Sequence, residues 1–433
     1  MNEIENIRNK ILVREFNERR DIEAVKKLEK NCSIGSKKGI SMFTNMMNDP
    51  LCRIRLYPVH VMLVAEMLKN GKLVGMVRGC IKLAGTGFGG RQVRLGCILG
   101  LRVSPRSRRM RIGLQLVQSI EEWLMRNGAQ YFFLATEEKN IASTNLFTIR
   151  CSYVQFSSLV IYIQPVISSH AEDLSDQDIK IEKLSVDQAI SFYKNNLKCK
   201  NVYPADIDAI FKESLSLGTW VSYIKEGSSN GFSNNNSNSV HETPEMYAVL
   251  PSHVEILFSR LEGLSTNKDD TKNRTPSSWA IFSIWNTCEA YKLQVRRSSH
   301  PLKAFHGKLD HARSKIFPCL KLPPISDSSS IEKPFGFLFL YGLHGEGERV
   351  GALMKSVWSF ASRLAKNVSD CKAIVTELGL SDPLREPVHL RSSMSCINDL
   401  WYIKKVNDPS DDDEEDLTVI RPVGNVFVDP RDF

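Results

Sequence analysis

Apolar residues in the first part of the chain alternate between a two-residue period, typical of strands, and a 3.6-residue period, typical of amphipathic helices. The first period predicts strands at ILVREF, VHVMLVAEML, LVGMVRGCIKLA, LGCILGLRV, AQYFFLAT and FSSLVIYI. The second predicts helices at DIEAVKKLEKNC, residues 108–126 and residues 140–151. Asn70 and Gly71 supply the turn of an antiparallel hairpin between the second and third strands. The pattern predicts a mixed α/β domain that ends near Pro165, with an irregular stretch before Pro58.

The same kind of pattern restarts after a polar stretch. It predicts strands at IKIEKL, GTWVSYI, FGFLFLYGL and CKAIVTEL, a helix from Val186, and a hairpin formed by SSWAIFSIW and AYKLQVRR. Two tracts rich in Ser, Asn and charged residues, near 226–245 and 263–278, have little to bury and are predicted to be disordered insertions. The acidic run DDDEED is predicted to be solvated loop.

Two segments of the chain have the same order of elements. ILGLRVSPRSRRMRIGLQLVQSIEEWLMRN and FLYGLHGEGERVGALMKSVWSFASRLAKN each contain a strand, a polar loop, a glycine (Gly113 or Gly351) and a long amphipathic helix, and a strand follows each. This similarity predicts a tandem duplication. We predict one domain at 1–167, a linker at 168–178 and a second domain at 179–433. The fold class is α/β (α+β), with a mixed, mostly antiparallel sheet flanked by helices in each domain.

Length, charge and cysteine spacing exclude only a few classes of protein. The 433 residues are enough for two or three domains, and the net charge of +8 permits an anionic ligand without requiring nucleic acid. The N-terminus has no apolar signal-peptide core and no run of eighteen apolar residues is present, so we expect an intracellular protein without membrane association. The ten cysteines follow neither CxxC nor zinc-site spacing, which predicts reduced thiols and no structural metal.

A cluster of arginines lies where a predicted strand meets a predicted helix. Arg106, Arg108, Arg109 and Arg111 all precede Gly113. The first turn of a helix has unpaired N–H groups and attracts phosphate, and arginines add bidentate contacts. The cluster therefore indicates a pyrophosphate site. Without this context such a cluster is more often a solvated face or a nucleic-acid patch, but no aromatic platform accompanies it, and we expect no direct nucleic-acid binding.

The residues around this cluster resemble a known family. LRVSPRSRRMRIGLQLV resembles the acyl-CoA signature of the GNAT N-acetyltransferase superfamily, with matches at Pro105, Arg108 and Gly113, and NIASTNLFTIRCSY resembles a downstream helix of that family. Further segments, VGMVRGCIK, LSLGTWV and the terminal VFVDPRDF among them, resemble the plant Hookless-type N-acetyltransferase-like proteins nearly end to end.

The resemblance implies a function. It implies acetyl-CoA as co-substrate, a protein amine such as a histone lysine as acceptor, and a role in plant growth and in ethylene and auxin responses, in the nucleus or cytoplasm. It also implies a set of residues that bind the co-substrate through backbone groups of a strand, a pyrophosphate loop and a short helix: Leu101, Arg102, Val103, Arg108, Arg109, Met110, Arg111, Ile112, Gly113, Leu114, Asn140 and Asn145.

The sequence identifies the catalytic groups less clearly than the residues that bind the co-substrate. An amine must lose its proton before it attacks a thioester, and a carboxylate is the usual helper. Glu137 and Glu138, just after a predicted strand, are the candidates for this base, with Glu66 on the hairpin behind them, although such residues are often only exposed loop carboxylates. Phe147 stands where many members have a tyrosine that reprotonates the thiolate, so Tyr153 is the candidate substitute.

Departures from the family pattern leave a second interpretation open. Arg111 replaces the first glycine of the family's loop, and the second half keeps Gly345, Gly347 and Gly351 but loses the proline and most arginines. We expect the second half to be a degenerate copy used for shape or substrate contact, and its inactivity is a hypothesis. The alternative to an enzyme is a catalytically impaired member of the fold that acts through partner binding.

Overall fold

The computed structural model describes residues 11–32, 34–37, 40–87, 90–166, 178–224, 277–297, 333–388, 394–406, 416–419 and 424–433. The predicted linker apart from Asp178, the first predicted insertion, the second as far as residue 276, and the acidic run before Asp416 lie outside these residues. The disorder proposed for those segments therefore stays a prediction.

The described residues form sixteen strands and seven α-helices. The strands are β1 (Ile11–Glu15), β2 (Ile34–Lys37), β3 (Ile40–Asn45), β4 (Val59–Met67), β5 (Lys72–Thr86), β6 (Gln92–Val103), β7 (Tyr131–Glu137), β8 (Val154–Pro165), β9 (Ile179–Lys183), β10 (Val202–Pro204), β11 (Ser216–Ile224), β12 (Trp279–Asn286), β13 (Lys292–Arg297), β14 (Gly336–Glu346), β15 (Cys371–Gly379) and β16 (Ser395–Lys405). The α-helices are α1 (Glu18–Asn31), α2 (Ile112–Arg126), α3 (Ile141–Asn145), α4 (Val186–Asn196), α5 (Ile207–Lys212), α6 (Val350–Lys366) and α7 (Arg385–Val388).

One large sheet runs through both halves of the chain, in the order β1-β4-β5-β6-β7-β16-β8-β15-β14-β12-β11-β9, with β10 joined to β5. From each edge inward the two halves repeat the same arrangement, since β9-β11-β12-β14-β15 follows the plan of β1-β4-β5-β6-β7. In the described residues only β6 with β7 and β14 with β15 are parallel strand pairs. The structure confirms the predicted tandem fold with mixed, mostly antiparallel strands.

The last strand of each half is exchanged. β16, from the second half, lies between β7 and β8, while β8, from the first half, lies between β16 and β15. Asp399 of β16 is consequently opposite Glu137 of β7 on one side and Leu159 of β8 on the other. The halves therefore share their central strands. The predicted boundaries, 1–167 and 179–433, stay predictions.

The long helices lie on one face of the sheet. Helix α2 buries Leu116, Ile120 and Leu124 against the first half, and α6 packs in the same way on the second. The opposite face is covered by α1, α4, α5 and residues 424–433, which we call the C-terminal segment. Within the described ranges, no helix combines the length and the apolarity needed to cross a bilayer.

Two predictions of local structure were wrong. The stretch before Pro58, predicted to be irregular, contains β2 and β3. The predicted hairpin of β12 with β13 does not form, because β12 is hydrogen-bonded to β11 on one side and β14 on the other and has no free edge. A 3₁₀ turn at Thr287–Glu289 then directs the chain away, and β13 pairs with β3 in a separate three-stranded sheet.

Candidate active site

The first half contains a gap between two parallel strands, which we call the first opening. β6 and β7 are paired at Leu95, Gly96 and Cys97, beyond which β6 continues along β5 and β7 continues along β16. Ala135 is exposed although β7 lies in the middle of the sheet. The strands therefore separate, and the gap between them is accessible to solvent.

A bulge in β6 marks the start of the first opening. Gly100 has a φ of +59°, and the register between β5 and β6 shifts beside it. A Cβ at this position would lie 2.7 Å from Nη1 of Arg78, so glycine is required both for its conformation and for the close approach. Arg78 is buried and forms an ion pair with Glu29 of α1 at 2.8 Å, and the Nε atom of Arg102 lies 3.5 Å from the same carboxylate. Arg102 therefore faces α1, on the side of the sheet opposite α2.

The arginine loop, residues 104–111, leads from β6 to α2. It begins with a 3₁₀ turn at Pro105–Ser107, and the helix starts at Ile112, four residues later than predicted. The helix does not start earlier because Arg109 and Arg111 adopt left-handed conformations, with φ of 67° and 58°. Arg111, which stands in place of the first glycine of the family's loop, thus has a backbone conformation that favours glycine.

The start of α2 has the features of an anion site. Arg111 at the N-cap provides no side-chain cap, and within the described chain the first α2 amide bonded to a carbonyl is that of Gln115, which donates to Arg111. The side chains of Arg106, Arg108, Arg109 and Arg111 are exposed around it. The amides of the first turn of α2, which donate to no backbone carbonyl of the described residues, and the surrounding guanidinium groups are together suited to bind a pyrophosphate.

Other predicted co-substrate residues surround this turn. A Cβ on Gly113 would lie 3.7 Å from Cγ2 of Val103 and 3.5 Å from Cδ2 of Leu146, so the end of β6, the start of α2 and the segment after β7 meet here. Met110 and Leu114 are partly buried nearby, whereas Ile112 is buried in the core and contributes only backbone. Leu101 and Val103 lie on β6 beyond the bulge.

The two predicted asparagines lie on the β7 side of the first opening. Asn140 caps α3, accepting from the Ser143 amide at 3.3 Å, and its Nδ2 atom donates to Oγ1 of Thr136 at 3.3 Å. Asn145 is exposed at the end of α3, before a π-helical turn at Leu146–Arg150. The predicted helix at 140–151 is thus confirmed in outline, while the role of the asparagines stays a prediction.

The carboxylates predicted as bases have different surroundings. Glu137 ends β7 and is partly buried opposite Asp399. Glu138 is exposed, and its Oε2 atom accepts a hydrogen bond from Nδ2 of Asn398 at 2.9 Å. Glu66 is bound by Arg14 and Arg20 near the edge of the sheet, and the hydrogen bond from Arg14 lowers its pKa. The structure brings Glu137 and Glu138 to the first opening and leaves Glu66 in an ion-pair network.

Tyr153 is buried beside the middle of α2. Its hydroxyl donates to Oε1 of Glu121 at 2.8 Å, and Lys404 binds the other oxygen of that carboxylate at 2.9 Å. Burial raises the pKa of Tyr153 well above its usual range. Glu121 lies about two and a half turns beyond the start of α2, so these contacts do not bring the hydroxyl to the arginine loop. Its predicted role as the acid is not supported by these contacts and stays a prediction.

Sequence reasoning missed two buried carboxyl groups near Glu137. Asp399 of β16 and Glu377 of β15 are 9% and 6% exposed. Burial raises the pKa of Asp399 to about 6, and burial together with Asp399 raises the pKa of Glu377 well above its usual range. An acidic residue inside the apolar run CKAIVTEL was the available signal, because ionisable side chains are rare in buried strands.

Comparisons with known proteins agree with this geometry. The family model described as the acetyltransferase (GNAT) family matches residues 38–153, which contain the first opening and the arginine loop. "Probable N-acetyltransferase HLS1" of Arabidopsis thaliana is 35% identical over 437 residues, covering 98% of this chain and all of that protein. "Acetyl transferase GW6a" of Oryza sativa subsp. japonica is 28% identical over 467 residues, covering 98% of this chain and 97% of that protein.

A solved structure shares the fold of the whole chain. Saccharomyces cerevisiae N-myristoyltransferase, with bound myristoyl-CoA and inhibitors, superposes with a TM-score of 0.50 at 11% identity, covering 97% of this chain and 87% of that one. At that identity the likeness concerns the fold alone. The full-length similarity to HLS1, the family match and the first opening lead to one conclusion. The chain belongs to the GNAT family of acetyltransferases, a family of acyltransferases, as a relative of HLS1.

Proposed function

We propose that this protein transfers the acetyl group of acetyl-CoA to an amine of a protein. The observation that carries the proposal is the first opening, which leads directly to the uncapped first turn of α2 and to the exposed side chains of the arginine loop. Electrostatic attraction at a helix N-terminus and bidentate guanidinium contacts both favour a diphosphate there.

The residues present fit this co-substrate. Residues 108–114 would wrap the pyrophosphate through backbone amides and arginine side chains, and backbone groups of Leu101 and Val103 would hold the pantetheine arm. The Val103 carbonyl already accepts from Nε of Arg108 at 3.3 Å and Sγ of Cys32 at 3.4 Å, which fixes Arg108 over the end of β6. Acetyl-CoA supplies the activated thioester, and the protein supplies orientation and proton transfer.

Similarity to the Hookless-type proteins over nearly the full chain supports the finer parts of the proposal. We take a protein amine as the acceptor, with histone lysines as the first to be tested, and the nucleus or cytoplasm as the place of action. Regulation of plant growth and of ethylene and auxin responses is the corresponding biological role.

A second candidate function is a regulator that keeps the fold but has impaired catalysis. Two observations favour it: Arg111 occupies a left-handed conformation that a glycine would adopt without strain, and Phe147 is buried with no hydroxyl to offer. Such a protein would act through binding partners.

Calorimetric titration of the full chain with acetyl-CoA tests the common part of both proposals. We expect saturable binding at micromolar concentrations that weakens about tenfold in the double variant Arg108→Ala with Arg109→Ala, whereas Arg19→Ala with Arg126→Ala, with the same charge change at exposed positions of α1 and α2, should bind like the wild type. Acetylation of synthetic histone H3 and H4 tail peptides then separates enzyme from regulator. Absence of saturable binding would refute the acetyl-CoA site.

A further inference from the structure

The Asp399 and Glu377 carboxyl groups lie together on the face of the sheet opposite α2. Asp399 shares its face with Trp401 and Ile403, whose side chains belong to the core on that side. Glu377 is opposite Ile161 and Asp399 is opposite Leu159, so the two carboxyl groups approach each other across β8.

This pair is next to the first opening. Asp399 is the ladder partner of Glu137, and Trp401 is the partner of Ala135, the exposed residue on β7. Adjacent strands are about 4.8 Å apart, so Asp399 is one strand away from the gap between β6 and β7. It lies on the face of the sheet opposite α2 and the arginine loop, the same face on which Ala135 is exposed.

The pair is incompletely satisfied. Oε1 of Glu377 has no hydrogen-bond partner among the described residues, although the side chain is more than nine-tenths buried. Polar atoms in such positions are usually bonded, so this oxygen is available to a proton or to a polar group that enters the site. The Trp401 side chain lies beside both carboxyl groups.

The charges around the pair keep one proton on it near neutral pH. Glu137 on β7 faces Asp399, and Asp432 of the C-terminal segment acts on Glu377. Lys82 on β5 is bound to Asp432 and balances that charge. Two carboxyl groups in contact do not both ionise readily, so Glu377 keeps its proton while Asp399 ionises first.

We propose that Asp399 is the catalytic base of the acetyl transfer and that Glu377 is the positioning residue that holds it through a shared proton. Asp399 takes one proton from the acceptor ammonium group. The nitrogen then bonds to the acetyl carbon as the C–S bond breaks, the sulfur keeps the electron pair of that bond, and the second proton of the nitrogen passes to the sulfur through water. This assignment rests on the proposed acetyltransferase function.

Through the exchanged strand β16, the second half contributes a residue to the proposed reaction. The bases and acid predicted from the sequence have other partners. Glu138 is exposed and hydrogen-bonded to Asn398, and Tyr153 is hydrogen-bonded to Glu121 of α2. β16 brings to the first opening a buried carboxylate with a pKa near the working pH, which is what general base catalysis favours. A degenerate copy without its own arginine loop would therefore still contribute a residue to the reaction.

The test compares full-length Asp399→Asn, Glu377→Gln and Glu122→Gln with acetyl-CoA and the histone H3 and H4 tail peptides. Wild-type kcat/KM should rise with pH through about 6. Asp399→Asn should lose about 100-fold or more in kcat, keep its KM for acetyl-CoA and lose that rise. Glu377→Gln keeps a neutral hydrogen-bond donor, so it should lose only about fivefold while the pH profile shifts. Glu122 is exposed on α2 and its variant should match the wild type.

Infrared spectroscopy provides a readout that does not need turnover. The wild type at neutral pH should show the carbonyl stretch of a protonated carboxyl that shifts when acetyl-CoA binds and disappears in Glu377→Gln. Unchanged kcat in Asp399→Asn, or the same loss in Glu137→Gln alone, would overturn the assignment.

The two proposals fail in different ways. A wild type that binds acetyl-CoA but acetylates no peptide counts against the proposed function. The infrared band then decides on the pair: a band that responds to acetyl-CoA supports its place in the site, and a band that is absent or unresponsive overturns it.

Discussion

The two parallel strand pairs of the sheet have the same backbone plan but different surroundings. In the first half Cys97 is opposite Phe133 and a bulge follows at Gly100, whereas in the second Phe339 is opposite Val375 and a bulge follows at Gly342, with φ of +62°. β14 and β15 separate beyond Leu340, which defines the second opening. The comparison shows that two pairs of strands that separate in the same way can present different surroundings to a ligand.

The loop and the occupant of each opening differ. Residues 347–349 replace the arginine loop, so the second opening has only Arg349 before its helix. The C-terminal segment occupies the second opening instead: Val426, Phe427 and Val428 are buried beside Tyr341 and Gly342. The two openings thus differ physically, because the C-terminal segment fills in the second half the space that is open in the first, while the degeneration of the second half stays a prediction.

The largest effect is expected at Arg431, which anchors the C-terminal segment. It forms two hydrogen bonds of 2.7 Å to Asp206 and a buried ion pair of 2.7 Å with Asp429. Arg431→Ala leaves the Asp429 carboxylate buried without its partner, which should lower the free energy of unfolding by about 3–5 kcal/mol. Urea unfolding followed by tryptophan fluorescence measures this loss.

Arg126→Ala is the control for Arg431→Ala. Arg126 is exposed on α2 and its contact with Glu122 is 3.8 Å, so its removal should change stability by less than about 0.5 kcal/mol. Equal stability of the two variants would mean that the C-terminal segment does not hold the second opening closed.

The next prediction concerns the buried carboxyl groups of Glu377 and Asp399, since the first half has the uncharged Ala135 where the second has Glu377. Glu377 takes in the second half the strand position that Ala135 has in the first, and it lies against Asp399. The folded pKa of Asp399, about 6, is above its unfolded value of 3.8. Its stabilising contribution is therefore complete below pH 3.8 and is lost as the pH rises to 6, a loss of up to about 3 kcal/mol at pH 7.

Asp399→Asn removes this loss. The variant should be more stable than the wild type at pH 7.5 by about 1–3 kcal/mol and nearly equal to it at pH 4. Urea unfolding at a series of pH values measures the difference. A variant that is less stable at pH 7.5 would show that the Asp399 carboxylate is satisfied by groups other than Glu377.

The strands and α2 could be predicted from the sequence because their periodicity is local. The hairpin of β4 and β5 and the repeated order of elements in the two halves both depend on residues close together in the chain. The exchange of β8 and β16 could not be predicted, because two antiparallel strands of similar pattern can occupy either position. The place of Asp399 was missed for the same reason, since only that exchange brings it beside Glu137 of β7.

Matched glycines at the starts of α2 and α6 compare the two openings directly. Gly113→Ala should fold normally, because the added Cβ meets Val103 and Leu146 at ordinary contact distances. It would occupy space between β6 and α3, so affinity for acetyl-CoA should fall about tenfold, or 1.4 kcal/mol. Gly351→Ala should leave the affinity unchanged. Calorimetry measures both, and equal losses in the two variants would show that acetyl-CoA contacts both openings.

The smallest effect is expected from Arg111→Gly in the arginine loop. The φ of 58° strains an arginine by about 1 kcal/mol relative to glycine, while glycine adds entropy to the unfolded chain, so the net gain in stability should be about 0.5 kcal/mol. Affinity for acetyl-CoA should fall about threefold at low salt and less at high salt, because an exposed guanidinium is lost from the pyrophosphate site. Thermal unfolding and calorimetry measure the two changes. A rise in affinity would show instead that Arg111 obstructs the site, and the first opening would then share some of the degeneration of the second.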